Sequence, residues 1–223
     1  MTADGKIAAQ DGQSKWITGA LSRQYVHHLR SEHQAILTTV GTVMADNPQM
    51  TVRDIPGITR QPVRVILDRQ CRLNPDQYRI FDSFDTFDTQ KAPTWVFISR
   101  FHRDAVHTAS YTSRVEARGG QVFEAGDTGT GLDLAEILDI LGKNGIGSVF
   151  TEAGGRLAGS FTNQRLVQKL VLFYAPRILS DAMAIKAFSD SAQFSPDGIP
   201  AIRIARTLKL DKDRVIEAYP ENP

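Results

Sequence analysis

β-Strand and α-helix patterns alternate through the second half of this chain, and that alternation restricts the fold more than any other feature. The β-rich runs and the helical patterns between them are, in chain order, 94–98, 103–117, 121–124, 132–143, 147–152 and 169–175. Strands that alternate with helices of this length predict an α/β fold built on a mainly parallel sheet with right-handed crossovers.

The first half adds a helix and two more strands. Thr18 can cap a helix in which apolar residues recur at helical spacing up to Leu29. A buried strand is predicted at 34–40, stopped by Gly41 and followed by a short helical turn and a turn at Asp46-Asn47-Pro48. A further strand is predicted at 63–67.

Two other segments differ in character. The Phe-Asp repeat from Phe81 to Thr89 predicts an exposed loop, because charged and small polar residues alternate with its aromatic residues. The runs 202–210 and 215–219 flank a polar turn and predict an antiparallel hairpin that closes one sheet edge.

Composition excludes several classes of protein. With 223 residues and 41% apolar residues, the chain predicts a single domain at 1–223. The net charge of +1 and the scattered cations argue against nucleic-acid or membrane partners. One cysteine, Cys71, allows neither an internal disulfide nor a Cys-based zinc site, and we expect a cytoplasmic protein. The H-E-x-x-H and G-x-S-x-G patterns are also absent from the sequence.

A strand runs into a glycine-rich turn and then a helix at 148–159, which predicts an anion site. Glu152 ends the strand, and Gly154 and Gly155 open the helix, where free backbone N–H groups can face a phosphate. The usual dinucleotide fingerprint does not fit, because the glycines read G-G-x-x-x-G and no acidic residue follows about 20 positions later. On the turn alone, tight packing of strand against helix is the favoured explanation of the same glycines.

A second polar turn follows the strand at 34–40. Thr42 and Asp46 are four residues apart and would share one face of a short helix. Arg30 and Arg53 are cations near the same strand end, although each alone is typical of a surface arginine.

Taken in chain order, these segments resemble one family, the reductase domain of the bifunctional riboflavin-biosynthesis deaminase/reductase. The resemblance runs from residue 3 to about 180. The segments that carry it include Asp4-Gly5-Lys6-Ile7-Ala8, Gly12-Gln13-Ser14-Lys15-Trp16, Gly41-Thr42-Val43, Ala45-Asp46-Asn47-Pro48, Thr51-Val52-Arg53, Gln61-Pro62-Val63-Arg64-Val65 and Glu152-Ala153-Gly154-Gly155.

The resemblance implies a dihydrofolate-reductase-like, three-layer α/β fold and a homodimer. It also implies NADPH-dependent reduction of 5-amino-6-(5-phosphoribosylamino)uracil, a pyrimidine ribose phosphate. The NADPH contacts implied are Trp16, Thr42, Asp46, Gly154, Gly155, Arg156, Leu157, Ala158, Gly159 and Ser160. The substrate contacts implied are Ser14, Arg30, Met50, Arg53 and Glu152. Asp46, near both ligands by resemblance, is the candidate catalytic residue for proton handling.

The sequence departs from the family pattern in two ways. A strand with a Lys-x-Ala motif is expected before Asp4 and is missing ahead of Met1. The zinc-deaminase motif is also missing, so deamination is expected from another protein. Two alternatives stay open: a reductase acting on the 2,5-diamino pyrimidinone before deamination, and a catalytically silent nucleotide-binding paralogue.

Overall fold

The computed structural model describes residues 1–14, 17–82, 92–102, 104–152, 154–189 and 201–221. The chain divides into two compact units, His27–Ala153 and Met1–Val26 with Gly154–Pro223. The helices and strands are β1 (Lys6–Ala8), α1 (Ala20–Glu32), β2 (Ala35–Thr39), α2 (Val40–Asp46), β3 (Val63–Leu67), a 3₁₀ turn (Arg79–Phe81), β4 (Thr94–Ser99), α3 (Ala105–Ala117), β5 (Gly120–Ala125), α4 (Leu134–Lys143), β6 (Val149–Thr151), α5 (Gly155–Asn163), β7 (Leu170–Tyr174), β8 (Ile185–Lys186), β9 (Ile202–Leu210) and β10 (Asp213–Pro220). Among the described residues, no helix combines the length and apolar content needed to cross a membrane.

The unit His27–Ala153 is built on a five-stranded parallel sheet in the order β5-β4-β3-β2-β6. Its central strands are largely buried, and Val65 and Ile66 of β3 are completely buried. Strands of this kind are covered on both faces by helices, as crossover connections require. This confirms the predicted α/β class and the mainly parallel sheet.

The core of this unit packs residues of β2, α2, β3, β4 and α3 into one cluster. Asp68, directly after β3, is buried there, and its Oδ2 accepts hydrogen bonds from the Leu73 N–H and the Tyr111 hydroxyl, each at 2.8 Å. Cys71 lies beside it, 3% exposed, and burial raises the pKa of its thiol to about 11. The carboxylate therefore organises the loop that leaves β3 at the carboxyl edge of the sheet.

The end of β2 differs from the prediction at Gly41, which lies inside α2 instead of stopping a strand. The helix begins before the glycine because the Thr39 hydroxyl caps it, accepting the Thr42 N–H at 3.3 Å. α2 ends at Asp46, and its C-cap Asn47 has a left-handed φ of 42°. The predicted short helix before Asp46-Asn47-Pro48 is confirmed.

The Phe-Asp repeat begins in the core. Phe81 is 3% exposed and belongs to the buried cluster, so the expected exposed loop is wrong at that residue. Phe81 ends the 3₁₀ turn, and its ring packs in the same buried cluster as residues of β2, β3 and β4. Residues 83–91, which hold most of the repeat, lie outside the described residues.

The unit Met1–Val26 with Gly154–Pro223 contains a three-stranded antiparallel sheet in the order β7-β10-β9, and a short β1-β8 pair. The predicted hairpin is confirmed as β9 and β10. The run at 169–175 was expected to continue the parallel sheet, but β7 pairs antiparallel with β10. The hairpin therefore extends β7 and not an edge of the parallel sheet, because every residue of β7 pairs with a residue of β10.

Candidate active site

Two strands of the parallel sheet end side by side and define the candidate site in the unit His27–Ala153. β2 and β6 are parallel neighbours, with Leu37 opposite Thr151. The Glu152 N–H then donates to the Leu37 carbonyl at 2.8 Å. Glu152 thus lies at the carboxyl edge of the sheet, where open α/β sheets bind their ligands.

Arg30 of α1 holds the Glu152 carboxylate in a bidentate ion pair. The Nε to Oε1 distance is 2.6 Å, and the Nη2 to Oε2 distance is 2.7 Å. The side chains are only 12% and 23% exposed, so the pair is shielded from water and more rigid than a surface pair. Arg30 Nη1 also donates to the Thr51 carbonyl at 2.9 Å, which joins α1, β6 and the segment after α2.

Arg53 reaches the same cluster through its backbone. Its N–H donates to Nδ1 of His27 at 3.2 Å, while its exposed guanidinium donates to Gln49 Oε1 at 3.0 Å. Burial lowers the pKa of His27, and the positive charges of Arg30 and Arg53 lower it further. The neutral ring is favoured, as its acceptor role requires.

His27 is a residue that the sequence reasoning missed. It precedes Arg30 by three positions on a helix that the sequence predicts, so the two side chains share a helix face. That spacing is the signal that could have identified it.

Met50 behaves differently from the substrate contact that the resemblance implies. Its side chain is 4% exposed and packs in the core cluster. Its backbone adopts a left-handed φ of 52°. The structure gives the side chain a packing role and leaves only the backbone for the predicted contact.

The α2 residues assigned to the cofactor by resemblance lie on one helix, as predicted. Thr42 is half-buried, and its hydroxyl is 3.2 Å from that of Thr39. Asp46 is exposed at the last turn. Spacing of four residues places Thr42 and Asp46 on the same face.

In the other unit, α5 begins with two glycines in different surroundings. At Gly155, an added Cβ would lie 2.0 Å from the Lys186 carbonyl oxygen, so internal packing alone demands glycine. At Gly154, an added Cβ would meet nothing within 4 Å, and φ is an ordinary −66°. Gly154 is the N-cap, and among the residues that the structure describes no side chain caps the helix. The first backbone N–H groups of α5 are therefore suited to an anion.

The remaining predicted residues of the turn lie on the first two turns of α5. Leu157 and Gly159 are buried, Arg156 is exposed, and Ala158 and Ser160 are half-buried. In the same unit Ser14 is half-buried, and its carbonyl accepts the Ile17 N–H at 3.4 Å. Trp16 lies outside the described residues. Of the predicted site residues, the structure brings Arg30, Glu152 and Arg53 into one connected cluster.

Residues 1–216 match the model of a protein family, the RibD C-terminal domain. The chain belongs to the RibD C-terminal domain family. This membership confirms the resemblance drawn from the sequence, and it is the same reductase-domain family.

Relatives support the assignment. The riboflavin biosynthesis protein RibD of Bacillus amyloliquefaciens is 32% identical over 219 residues, covering 98% of this chain and 55% of that protein. Acinetobacter baumannii RibD has a structure with a TM-score of 0.80 at 26% identity, covering 99% of this chain and 55% of that one. A Thermotoga maritima diaminohydroxyphosphoribosylaminopyrimidine deaminase/5-amino-6-(5-phosphoribosylamino)uracil reductase has a TM-score of 0.73 at 29% identity, covering 98% of this chain and 54% of that one. The chain spans about half the length of these relatives.

Proposed function

We propose that this chain is an NADPH-dependent reductase that converts 5-amino-6-(5-phosphoribosylamino)uracil to its ribitylamino product in riboflavin biosynthesis. The observation that carries the proposal is the family match over residues 1–216. The similarity to the Thermotoga maritima deaminase/5-amino-6-(5-phosphoribosylamino)uracil reductase supports the choice of substrate. The cluster of Arg30, Arg53 and Glu152 near the ends of β2 and β6 supplies side chains that can bind such a substrate.

Arg53 is proposed to bind the ribose phosphate. Within the described residues its guanidinium makes one hydrogen bond, to Gln49, so most of its N–H donors remain for a phosphate. Its planar fork suits two phosphate oxygens at once.

Arg30 is assigned a different task. Three of its N–H donors are used by Glu152 and Thr51, so we assign it to orienting Glu152 more than to the phosphate. Both Glu152 oxygens keep lone pairs that can accept from hydroxyl or amino groups of the substrate.

NADPH fits the open start of α5. Gly154 leaves space where a Cβ would otherwise lie, and the uncapped N–H groups of the helix suit a phosphate of the cofactor. The contacts proposed for NADPH remain Trp16, Thr42, Asp46 and the segment 154–160.

In this reaction NADPH, when bound, supplies the hydride that reduces C1 of the opened ribose. The protein then has to hold the reacting carbon in place, which is the task of Arg53 and Glu152. Asp46 is exposed at the end of α2 and is proposed to hold the proton that the reduced product takes up.

The direct test measures NADPH oxidation with two substrates, 5-amino-6-(5-phosphoribosylamino)uracil and the 2,5-diamino pyrimidinone that precedes deamination. We expect faster turnover with the first. Faster turnover with the second would reassign the substrate, and no turnover with either would favour the silent nucleotide-binding alternative.

A separate experiment tests the cofactor site. Hydrogen exchange of the backbone amides at residues 154–159 should slow on adding NADPH, and unchanged exchange at saturating cofactor would show that NADPH does not bind at α5.

We also propose a homodimer formed through β9. This strand has nine residues, of which most are exposed, and within the described residues it pairs only with β10. Ile202 and Ile204 are 41% and 57% exposed. A long edge strand with exposed apolar side chains is suited to pairing with a second copy of the same strand.

A further inference from the structure

The segment Thr51–Arg53 is held by three side chains, two from α1 and one from the loop before β3. Arg30 donates to the Thr51 carbonyl, as described above. Gln61, which is 7% exposed, accepts the Val52 N–H at 2.8 Å and donates to the Val52 carbonyl at 3.0 Å. His27 accepts the Arg53 N–H. Each of three consecutive residues is therefore fixed by a separate contact.

This fixing is needed because the backbone is strained at both ends of the segment. Met50 and Asp54 have φ values of 52° and 59°, in the left-handed region. Such conformations in residues other than glycine cost about 1 kcal/mol or more and persist only where surrounding contacts hold them. Of the three contacts, the one from His27 is the only one that can be switched by a proton near neutral pH.

The contact with the Arg53 N–H requires a neutral His27 ring. An imidazole accepts at Nδ1 only when it is neutral and carries its proton on Nε2. The charged groups that face it are Arg30 on its own helix, Arg53 on the held segment, Asp54 directly after that segment, and Glu152 after β6. Burial and the two arginines lower the pKa of His27, and the two carboxylates oppose them more weakly.

We propose that His27 is a positioning residue for Arg53, and that its protonation releases the Arg53 backbone and weakens binding of the substrate phosphate. The step rests on the proposed function, in which Arg53 binds that phosphate. Neutral His27 fixes the backbone from which the guanidinium projects. Protonated His27 cannot accept the N–H and adds a third cation beside two arginines.

The first test compares substrate KM and kcat of the wild-type chain with those of His27→Asn and His27→Ala between pH 5 and pH 8. Asparagine can still accept the Arg53 N–H through Oδ1 but does not titrate, whereas alanine cannot accept it. At pH 7.5 we expect KM to rise about three- to tenfold in His27→Ala, with kcat within about twofold, and to stay near wild type in His27→Asn.

The pH dependence isolates the histidine from the substrate's own titration. The ratio of wild-type KM to that of His27→Asn should rise as pH falls below 6.5. A falling ratio would overturn the proposal, because it would mean that protonated His27 binds the phosphate itself. His28→Asn is the matched control: His28 is the next residue, half-exposed and paired with Glu32, and its substitution should leave the ratio unchanged.

A second measurement needs neither substrate nor activity. The protection factor of the Arg53 amide against hydrogen exchange should fall in His27→Ala and persist in His27→Asn. In the wild-type chain it should decrease as pH falls through the His27 pKa. Equal protection in all three proteins would overturn the contact. Protection that changes as expected while KM ratios stay flat would overturn the positioning role, and absent turnover in every protein would instead refute the proposed function.

Discussion

The held segment Thr51–Arg53 and the strand β9 differ in how firmly the rest of the described chain fixes them. In the first, the side chains of Arg30, Gln61 and His27 fix three consecutive residues. In the second, apolar side chains such as Ile204 are exposed on an edge strand. The difference teaches that side-chain hydrogen bonds to the backbone fix the position of Thr51–Arg53. The alternating apolar residues of β9, by contrast, leave part of their side chains exposed. Substitutions should be costly in the first region and cheap in the second.

The largest effect is expected for Arg30→Met. Removing the guanidinium leaves the Glu152 carboxylate largely buried without its partner, which should lower the free energy of unfolding by about 3 kcal/mol. Urea unfolding measures it. The double variant Arg30→Met/Glu152→Met should regain most of that stability without regaining NADPH oxidation. Arg156→Met, at an exposed arginine, serves as the control, and an equal loss there would refute the special status of the pair.

Arg53→Ala should act on binding more than on stability. A lost charge-assisted contact to phosphate is worth about 1.5 to 3 kcal/mol, so substrate KM should rise about tenfold or more. The Kd for NADPH should not change. Arg53→Lys keeps the positive charge but loses the planar guanidinium, so its substrate KM should lie between those of the wild-type chain and Arg53→Ala. Equal losses for both ligands would move Arg53 to the cofactor.

A smaller effect is expected at Glu217 in the antiparallel sheet. Its carboxylate accepts from the Tyr25 hydroxyl at 2.6 Å and pairs with Lys169 at 3.0 Å, and both contacts lower its pKa. A lowered pKa stabilises the fold above the ordinary value of 4.5, and that stability is lost as pH falls through the folded value. Glu217→Gln should therefore cost about 1 kcal/mol at pH 7 and progressively less below pH 4.5. A difference that does not depend on pH would contradict this.

The smallest change in protomer stability is expected for Ile204→Ser, below about 0.5 kcal/mol, because the side chain is already exposed. Ile66→Ser, its counterpart in the buried strand β3, should cost several times more. Ile204→Glu tests the proposed dimer by light scattering on a sizing column. If β9 is the contact, the molar mass should fall towards that of one chain, whereas an unchanged mass would place any dimer elsewhere.

Sequence pattern predicted the parallel sheet well because its strands are short apolar runs between helices. It also predicted the β9–β10 hairpin, but simple alternation would place Ile202, Ile204, Leu208 and Leu210, all at even positions, on one face of β9. The register shifts between Glu217 and Ala218, which places Leu208 opposite Val215 but Ile204 opposite Ala218. Such a bulge moves Ile202 and Ile204 to the face opposite Leu208 and Leu210. No residue type in this segment would have predicted the bulge.

The site was predicted in part for a related reason. Arg30, Arg53 and Glu152 could be named from family resemblance, but their mutual arrangement depends on contacts distant in sequence. Arg30 and Glu152 are 122 positions apart, and their pairing follows from β2 and β6 being neighbours. His27 and Gln61 act on backbone groups, and a backbone acceptor or donor leaves no mark in a sequence motif.

Cys71 gives this chain a built-in reporter of its own opening. As the one cysteine in the sequence, buried with its thiol pKa raised to about 11, it should be nearly inert to thiol reagents in the folded protein at neutral pH. Reaction with a chromogenic disulfide then proceeds only when the core around Asp68 opens, so its rate counts opening events. A second cysteine introduced at an exposed position would react with a fluorescent thiol label while Cys71 stays unlabelled. A fluorophore could therefore be attached at one chosen site without first replacing Cys71.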